Sequence, residues 1–292
     1  MPIRADAIGQ TRSTDTEITA RDALAYAAVL GFDSEACLDD ARPGGLVVVP
    51  MLCTRLEWIL AGDDQRASSL GLTLPERRRA VHALQDSRFL HPLRVGMRVR
   101  STSRNEYMRQ TSAGTFVLTS FEHREIETGD LLVKSWSGSM LRGLPLGQTA
   151  AGAPPADFIE AGPAENLAHA SDVLLPRTLP HLYSECAQIW NPIHTERAVA
   201  LAAGLPDIIV HGTITWAISA REALKTAGGS VEALARLSAR FRGMVIPGTS
   251  IAVRTAASAS ASDGRVPFAT YNAAGELALA NGLIEIDHAR AS

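Results

Sequence analysis

The chain has 292 residues, 46% of them hydrophobic and 20% charged, with a formal net charge of −3. That length and apolar content suffice for two compact domains with a substantial core, and the charge balance gives no reason to invoke nucleic acid. Three scattered cysteines, Cys37, Cys53 and Cys186, have neither metal-ligand nor disulfide-framework spacing and read as reduced thiols.

Residues 1–19 are polar, with Asp6, Asp15 and Glu17, and lack the apolar core of a signal peptide. No apolar run approaches the ~20 residues needed to cross a bilayer, so no membrane partner and a cytoplasmic location are expected. Residues 20–31 predict a helix with Ala23, Leu24, Tyr26, Ala27 and Leu30 on one face. The stretch 45–60 begins as a short apolar run and continues through Leu56 and Trp58 into a helix ending at Gly62. Three strands are predicted next, over 97–107, 114–126 and 130–141. Alternation is plain at Thr115, Val117, Thr119 and Phe121, and Thr128-Gly129-Asp130 marks a turn.

Residues 147–170 carry runs of Ala, Gly and Pro and read as a flexible connector between a first domain at 1–146 and a second at 171–292. The second half repeats the order of the first: helices over about 179–229, then strands near 244–256, 265–273 and 277–286. The stretch 256–264 is read as a hairpin loop and Ala274-Gly275-Glu276 as a turn. A Pro-containing lead into a strand after glycine recurs at His91-Pro92-Leu93-Arg94-Val95-Gly96 and at Met244-Val245-Ile246-Pro247-Gly248. The pattern is that of a duplicated α+β unit, helices first and antiparallel strands after.

The second half also holds the motifs that carry chemistry. In Trp190-Asn191-Pro192-Ile193-His194, Asn191 is a good N-cap and Pro192 suits a first helical position, with Ala198 and Leu201 continuing an apolar stripe. His194 then falls on an opening helical turn, where the positive end of the dipole favours a neutral ring able to accept a proton. Ile209-Val210-His211-Gly212-Thr213 leads a second helix, over about 213–226, with Ile214, Ala217, Ile218 and Leu224 on its buried face and Gly228-Gly229 as its stop. At its start, Gly212 would let a carbonyl oxygen come close to a backbone N–H. A general base facing an oxyanion site suits acid–base chemistry on a carbonyl compound.

These residues resemble the MaoC-like hydratases and dehydratases, the (R)-specific enoyl-CoA hydratase group. The family pattern reads Ser-Gly-Asp-x-Asn-Pro-hydrophobic-His, followed by a His-Gly pair at the start of the central helix. The run Ala187-Gln188-Ile189-Trp190-Asn191-Pro192-Ile193-His194 matches its latter part. Tyr183 upstream and the run from Phe241 to Gly248 downstream add support. The resemblance implies a double hot-dog fold, two antiparallel sheets each wrapped around a helix and set edge to edge. The first half, which has no Asn-Pro-x-His run, would be a degenerate hot-dog forming a wall of the acyl pocket. It further implies His194 as the catalytic histidine, Gly212 as the oxyanion glycine, and Asn191, His211 and Tyr183 as supports.

At the family's aspartate position stands Ile189, which cannot move a proton. Three readings follow. Glu185, four residues earlier, shares a face with Ile189 if 179–188 is helical, and its longer side chain would reach the same pocket; its bland reading is a solvated helix charge. Alternatively His194 is the sole acid–base residue, or the pocket binds without turnover. The expected function is a lyase adding or removing water at C2–C3 of an acyl-CoA or acyl-carrier-protein thioester, without cofactor or metal. An isomerase or cyclase, a thioesterase of the same fold, and an inactive binding homologue are the alternatives. Exposed sheet edges leave homodimer formation open.

Overall fold

The computed structural model describes residues 2–256 and 264–290. The first half comprises strand β1 (Thr11–Glu17), helices α1 (Ala20–Leu30), α2 (Glu35–Leu38), α3 (Cys53–Ala61), α4 (Asp64–Ser69) and α5 (Leu74–Arg77), and strands β2 (Ala80–Phe89), β3 (Arg98–Thr111), β4 (Gly114–Glu125) and β5 (Leu131–Arg142). A short strand β6 (Ala150–Gly152) and β7 (Leu167–Leu174) follow. The rest is α6 (Leu179–Ala187), α7 (Arg197–Ala202), α8 (Gly212–Ala227), β8 (Leu234–Phe241), β9 (Ser250–Ala256), β10 (Arg265–Tyr271) and β11 (Leu277–Ile286). The hairpin loop expected at 256–264 falls mainly on 257–263, outside the described residues.

The described strands form one antiparallel sheet in the order β1-β3-β4-β5-β2-β8-β11-β10-β9-β7, with β6 added to β3. Read outward from the centre, β2-β5-β4-β3-β1 and β8-β11-β10-β9-β7 are the same topology twice. The halves join where β2 pairs antiparallel with β8, Asp86 opposite Ser238. This is the double hot-dog plan, α+β with two sheet halves edge to edge. Equivalent details repeat: Gly96 N–H donates to Ile18 O at 2.8 Å and Gly248 N–H to Leu175 O at 2.7 Å, each pinning the lead of a strand beside the end of another. Both glycines sit at positive φ, 87° and 88°, which a side chain would resist.

Each half therefore has five principal strands rather than three, and a strand precedes its helices. β1 was invisible as Thr-Arg-Ser-Thr-Asp-Thr-Glu because it is an edge strand whose polar side chains face solvent or lie half-buried. β2 was hidden by Gln85, Asp86 and Ser87, polar side chains buried by partners distant in sequence.

The central helix α8 is buried on nearly all sides, from Thr213 through Leu224, and packs against β8, β9, β10 and β11. Its C-terminus is closed by Gly228 in the left-handed region, whose N–H returns to Leu224 O and Lys225 O. In the first half α3 packs against β1 and β3. α1 starts with a capping box of Thr19 and Asp22, and Asp22 also pairs with Arg55 of α3 at 2.7 Å, fixing the two helices together. No helix among the described residues is long and apolar enough to cross a membrane.

Residues 147–170, expected as a flexible connector, are tied down. β6 pairs with β3, and 157–161 cross the outer face of the central strands. Lys134 of β5 pairs with Asp157 at 2.6 Å, Arg88 of β2 donates to Asp157 O, and Phe158 tilts against Trp136. Arg236 and Arg240 of β8 hold Ile159 O and Glu160, and Asn281 of β11 holds Ala161 O. Small residues keep this strap thin while its carbonyls and carboxylates supply the bonds.

Candidate active site

His194 and His211 are brought together by two loops. Asn191 caps the three-residue 3-10 turn Pro192–His194 through its Oδ1, which accepts from Ile193 N–H. His194 N–H closes back on Asn191 O at 3.0 Å. The expected opening turn of an α-helix is thus a separate 3-10 turn. α7 begins only at Arg197, and Ala198 and Leu201 face solvent while Ala200 is buried. A dipole from α7 cannot be what keeps His194 neutral. The second loop is pinned by Val210 N–H on Val245 O at 2.8 Å and leads directly into α8.

The two imidazoles stack with ring centroids 3.7 Å apart and planes 24° from parallel. His194 Nδ1 lies 2.8 Å from Ile209 O, so Nδ1 carries the proton and Nε2 presents a lone pair. Burial pushes the His194 pKa down to about 4 against a small opposing effect of that hydrogen bond. His211 is buried. Its Nε2 lies 3.2 Å from both Ile189 O and Ser184 Oγ, and since a carbonyl only accepts, Nε2–H is the donor. His211 Nδ1 is buried without a hydrogen-bond partner. Desolvation, then the neighbouring His194, hold the His211 pKa well below 6.5. Both rings are neutral at pH 7.

α8 opens immediately after His211, with no side-chain cap. The amides of Gly212 and Thr213 lead the helix and have no intrahelical acceptor. A Cβ on Gly212 would lie 2.9 Å from the ring of Phe241. Close packing against Phe241 therefore favours glycine here. Tyr183 stands beside His211 at 5.0 Å between rings and donates to Thr213 Oγ1 at 3.0 Å. Its hydroxyl also meets that of Tyr26 from the first half at 3.4 Å. His194, His211, Gly212 and Tyr183 thus converge, with Asn191 shaping the turn beneath His194.

Glu185 does not join them. α6 ends at Ala187, and Gln188 turns into the left-handed region with φ 53°, so the helical face expected to carry both Glu185 and Ile189 is broken between them. Glu185 is exposed and accepts from the indole N–H of Trp190 at 3.2 Å. Ile189 packs into the main hydrophobic core, and only its carbonyl reaches the histidines. Cys186 is a free, half-buried cysteine whose pKa is raised by desolvation, which keeps it a thiol. Among the described residues no group of three or more His, Cys, Asp or Glu is arranged to hold a metal.

Residues from the first half complete the surroundings, and the sequence alone did not point to them. His82 of β2 stacks on Phe241 with centroids 4.4 Å apart. Its Nε2 meets Gln85 Oε1 and Ser137 Oγ, both at 3.0 Å. The signal for His82 lies in β2, whose polar alternation was not legible as a strand.

Residues 182–272 match the family model described as MaoC like domain. Over 74 residues, a quarter of this chain, the sequence is 43% identical to the fatty acid synthase subunit beta of Aspergillus oryzae, of which the match covers 4%. The crystal structure of a MaoC-like dehydratase from Phytophthora capsici superposes with a TM-score of 0.84 over 99% of this chain and 100% of that one, at 18% identity. The full-length peroxisomal multifunctional enzyme type 2 of Drosophila melanogaster superposes with a TM-score of 0.77 over 94% of this chain and 48% of that one, at 19% identity. At such identities the superpositions establish the fold. The chain spans a small fraction of the fungal relative, whose activity as a whole is its own.

Proposed function

We propose that this chain, which carries a MaoC-like domain across residues 182–272, is a hydratase or dehydratase acting at C2–C3 of an acyl thioester borne on CoA or a carrier protein. The observation that carries the reading is the pairing of an unprotonated His194 Nε2 with the uncapped start of α8, joined through the stacked His211. Acyl-thioester chemistry at C2 needs a base for the C2 proton and donors for the charge that develops on the thioester oxygen. Support comes from the matched domain and from fatty acid synthase relatives.

In the dehydration direction, His194 Nε2 takes the C2 proton of a 3-hydroxyacyl thioester while the Gly212 and Thr213 amides receive the enolate oxygen. The imidazolium then returns the same proton to the departing C3 hydroxyl, water leaves, and the C2–C3 double bond forms with His194 neutral again. Hydration runs the same steps in reverse. One histidine balances both proton transfers, which accords with the exposure of Glu185 and with isoleucine at position 189. His211, with Nε2–H held by Ile189 O, positions the His194 ring.

Incubation with a panel of 2-enoyl- and 3-hydroxyacyl-thioesters, read by mass spectrometry, tests the reading. Gain or loss of one water that disappears in His194→Ala supports it. Release of free CoA thiol would indicate a thioesterase, a rearrangement without mass change would indicate an isomerase or cyclase, and binding without turnover would leave a binding protein.

A further inference from the structure

The two hot-dog halves share a topology but not a lining. On the α8 side the sheet presents Leu237, Ala239, Val253, Phe268, Leu279 and Ile284, all buried and apolar. The corresponding inner face of the first half mixes Phe89, Phe121 and Val133 with Gln85, Ser87, Ser101, Thr119, His123 and Ser135, also buried. Register puts them on one surface: Ser87 lies opposite Ser135, Gln85 opposite Ser137, and Thr119 opposite Ser137 from the other side. α3 packs over β1 and β3 and reaches this surface through Cys53, whose Sγ lies 3.8 Å from Ser87 Oγ, and through Glu57, which meets Gln85 and His123.

That wall is continuous with the proposed catalytic site. From Gly212 the contacts run to Phe241, to His82 stacked on it, and to Gln85, whose amide donates to Glu57 of α3 at 3.0 Å and to Ser87 Oγ at 3.0 Å. From Ser87 they pass to Cys53 Sγ of α3 at 3.8 Å, and from the neighbouring Thr54 through Tyr26 and Tyr183 to Thr213. Along the wall Gln85, Ser87, Thr119 and Ser135 are fully buried, while His82, Ser137, Ser139 and Arg66 are half-buried.

At the far end of the wall is Arg66 of α4. Its Nη2 lies 3.4 Å from both Thr119 Oγ1 and Ser139 Oγ, and its Nη1 lies 3.4 Å from Ala61 O, all at the long limit of a hydrogen bond. Its Nε is buried with no hydrogen-bond partner. Among the described residues no carboxylate lies within ion-pair distance of this guanidinium. Asp63, which influences it, is bound by Arg12 and by the Arg66 backbone N–H. Desolvation lowers the Arg66 pKa to about 10, and nearby Arg12 and Arg77 add to the lowering. Arg66 as a whole is half-buried; a charge drawn out of water gains from a partner, and a guanidinium fork matches a carboxylate in two parallel bonds. Ser139, which Arg66 touches, lies opposite His82 in the sheet. Arg66 is thus reached from Phe241 across two strand spacings, about 10 Å, the reach of a chain on the order of six carbons.

We propose that the acyl group of the substrate ends in a carboxylate, and that Arg66 binds it across the polar wall of the first half. The inference rests on the thioester reading of the catalytic site and specifies its substrate class. Glu57 does not contradict it, since both its oxygens accept from Gln85 and the anion is placed beyond Ser137, beside Ser139 and Thr119.

Calorimetry with two unreactive ligands on the same carrier, adipyl-CoA and hexanoyl-CoA, isolates the terminal group, because the CoA phosphates are common to both. The expected result is adipyl-CoA binding about 100-fold more tightly to the wild-type protein, the size of a charge-assisted pair of hydrogen bonds. In Arg66→Gln the ratio between the two ligands should collapse toward one. Equal or tighter binding of hexanoyl-CoA by the wild-type protein overturns the proposal, and that measurement needs no variant to fold. If adipyl-CoA is preferred but the matching unsaturated thioester is never hydrated, the hydratase reading fails and the carboxylate site stands. If 2-hexenoyl-CoA is hydrated while adipyl-CoA has no advantage, the carboxylate site fails alone.

Discussion

The imidazoles of His194 and His211 face one another 3.7 Å apart, and each gives one N–H to a backbone carbonyl, Ile209 O and Ile189 O respectively. Adding a proton to either ring places a positive charge on the other's face in a desolvated site, so the pair favours the doubly neutral state. Nε2 of His194 is therefore available as a base throughout the neutral range.

That preference makes stability depend on pH. The folded-state pKa of His194 is depressed from 6.5 to about 4, so below 6.5 the unfolded chain binds protons that the folded chain does not. The contribution is fully present above pH 6.5 and is lost as pH falls to about 4, by up to about 3 kcal/mol for this residue. His211 shifts in the same direction and adds to it. Urea unfolding at steps between pH 7 and pH 4 should show this loss, and it should shrink in His194→Gln. An unchanged slope in the variant would show that His194 is not the titrating group.

Replacing His194 by Gln or Ala is expected to lower kcat for thioester hydration by about 10²–10⁴-fold, the usual contribution of a positioned general base. Glu185→Gln should change kcat by less than about twofold and stability by less than about 0.5 kcal/mol, since this carboxylate is exposed and bonded to an exposed indole. Steady-state kinetics on both variants decides between the single-histidine scheme and a displaced carboxylate. A collapse of kcat in Glu185→Gln would rule out the first.

Gly212→Ala sets a methyl group against the Phe241 ring at 2.9 Å. The expected cost is about 1–3 kcal/mol of stability, as for other overpacked sites. Phe241→Leu in the same chain should recover most of it, because the two positions are in direct contact and their effects are not additive. Thermal melts of the four proteins in this cycle check the relation; additive losses would mean that the methyl group meets something else.

Much of the fold was legible where local pattern and tertiary environment agree. α1, with Thr19 before it and Gly31 after it, and β4, with its alternating Thr115, Val117, Thr119 and Phe121, declare themselves in the chain. The repeated glycine leads at Gly96 and Gly248 disclosed the duplication. β1 and β2 could not be read in that way, because their polar side chains are accommodated by partners that only the fold supplies. For the site, Asn191 and Pro192 announced a turn, but a 3-10 turn and the start of an α-helix use the same capping residues. His82 and Phe241 meet beside Gly212 from strands of the two halves, and no spacing in the sequence records that convergence.

The seam between the halves carries a buried ion pair, Asp86 of β2 with Arg236 of β8 at 2.7 Å in a two-pronged arrangement. Arg236 also donates to Ile159 O of the strap and pairs with Glu285 of β11. Both members of the pair are shielded from water, and breaking such a pair leaves an uncompensated charge. Arg236→Met should therefore cost about 3–5 kcal/mol. Replacing both, as Asp86→Leu with Arg236→Met, should cost distinctly less than Arg236→Met alone, since two apolar side chains of similar bulk need no partners. Denaturant unfolding of the two variants tests this. A double variant no more stable than Arg236→Met would show that the strap and Glu285 contacts, rather than the unpaired Asp86, account for the loss.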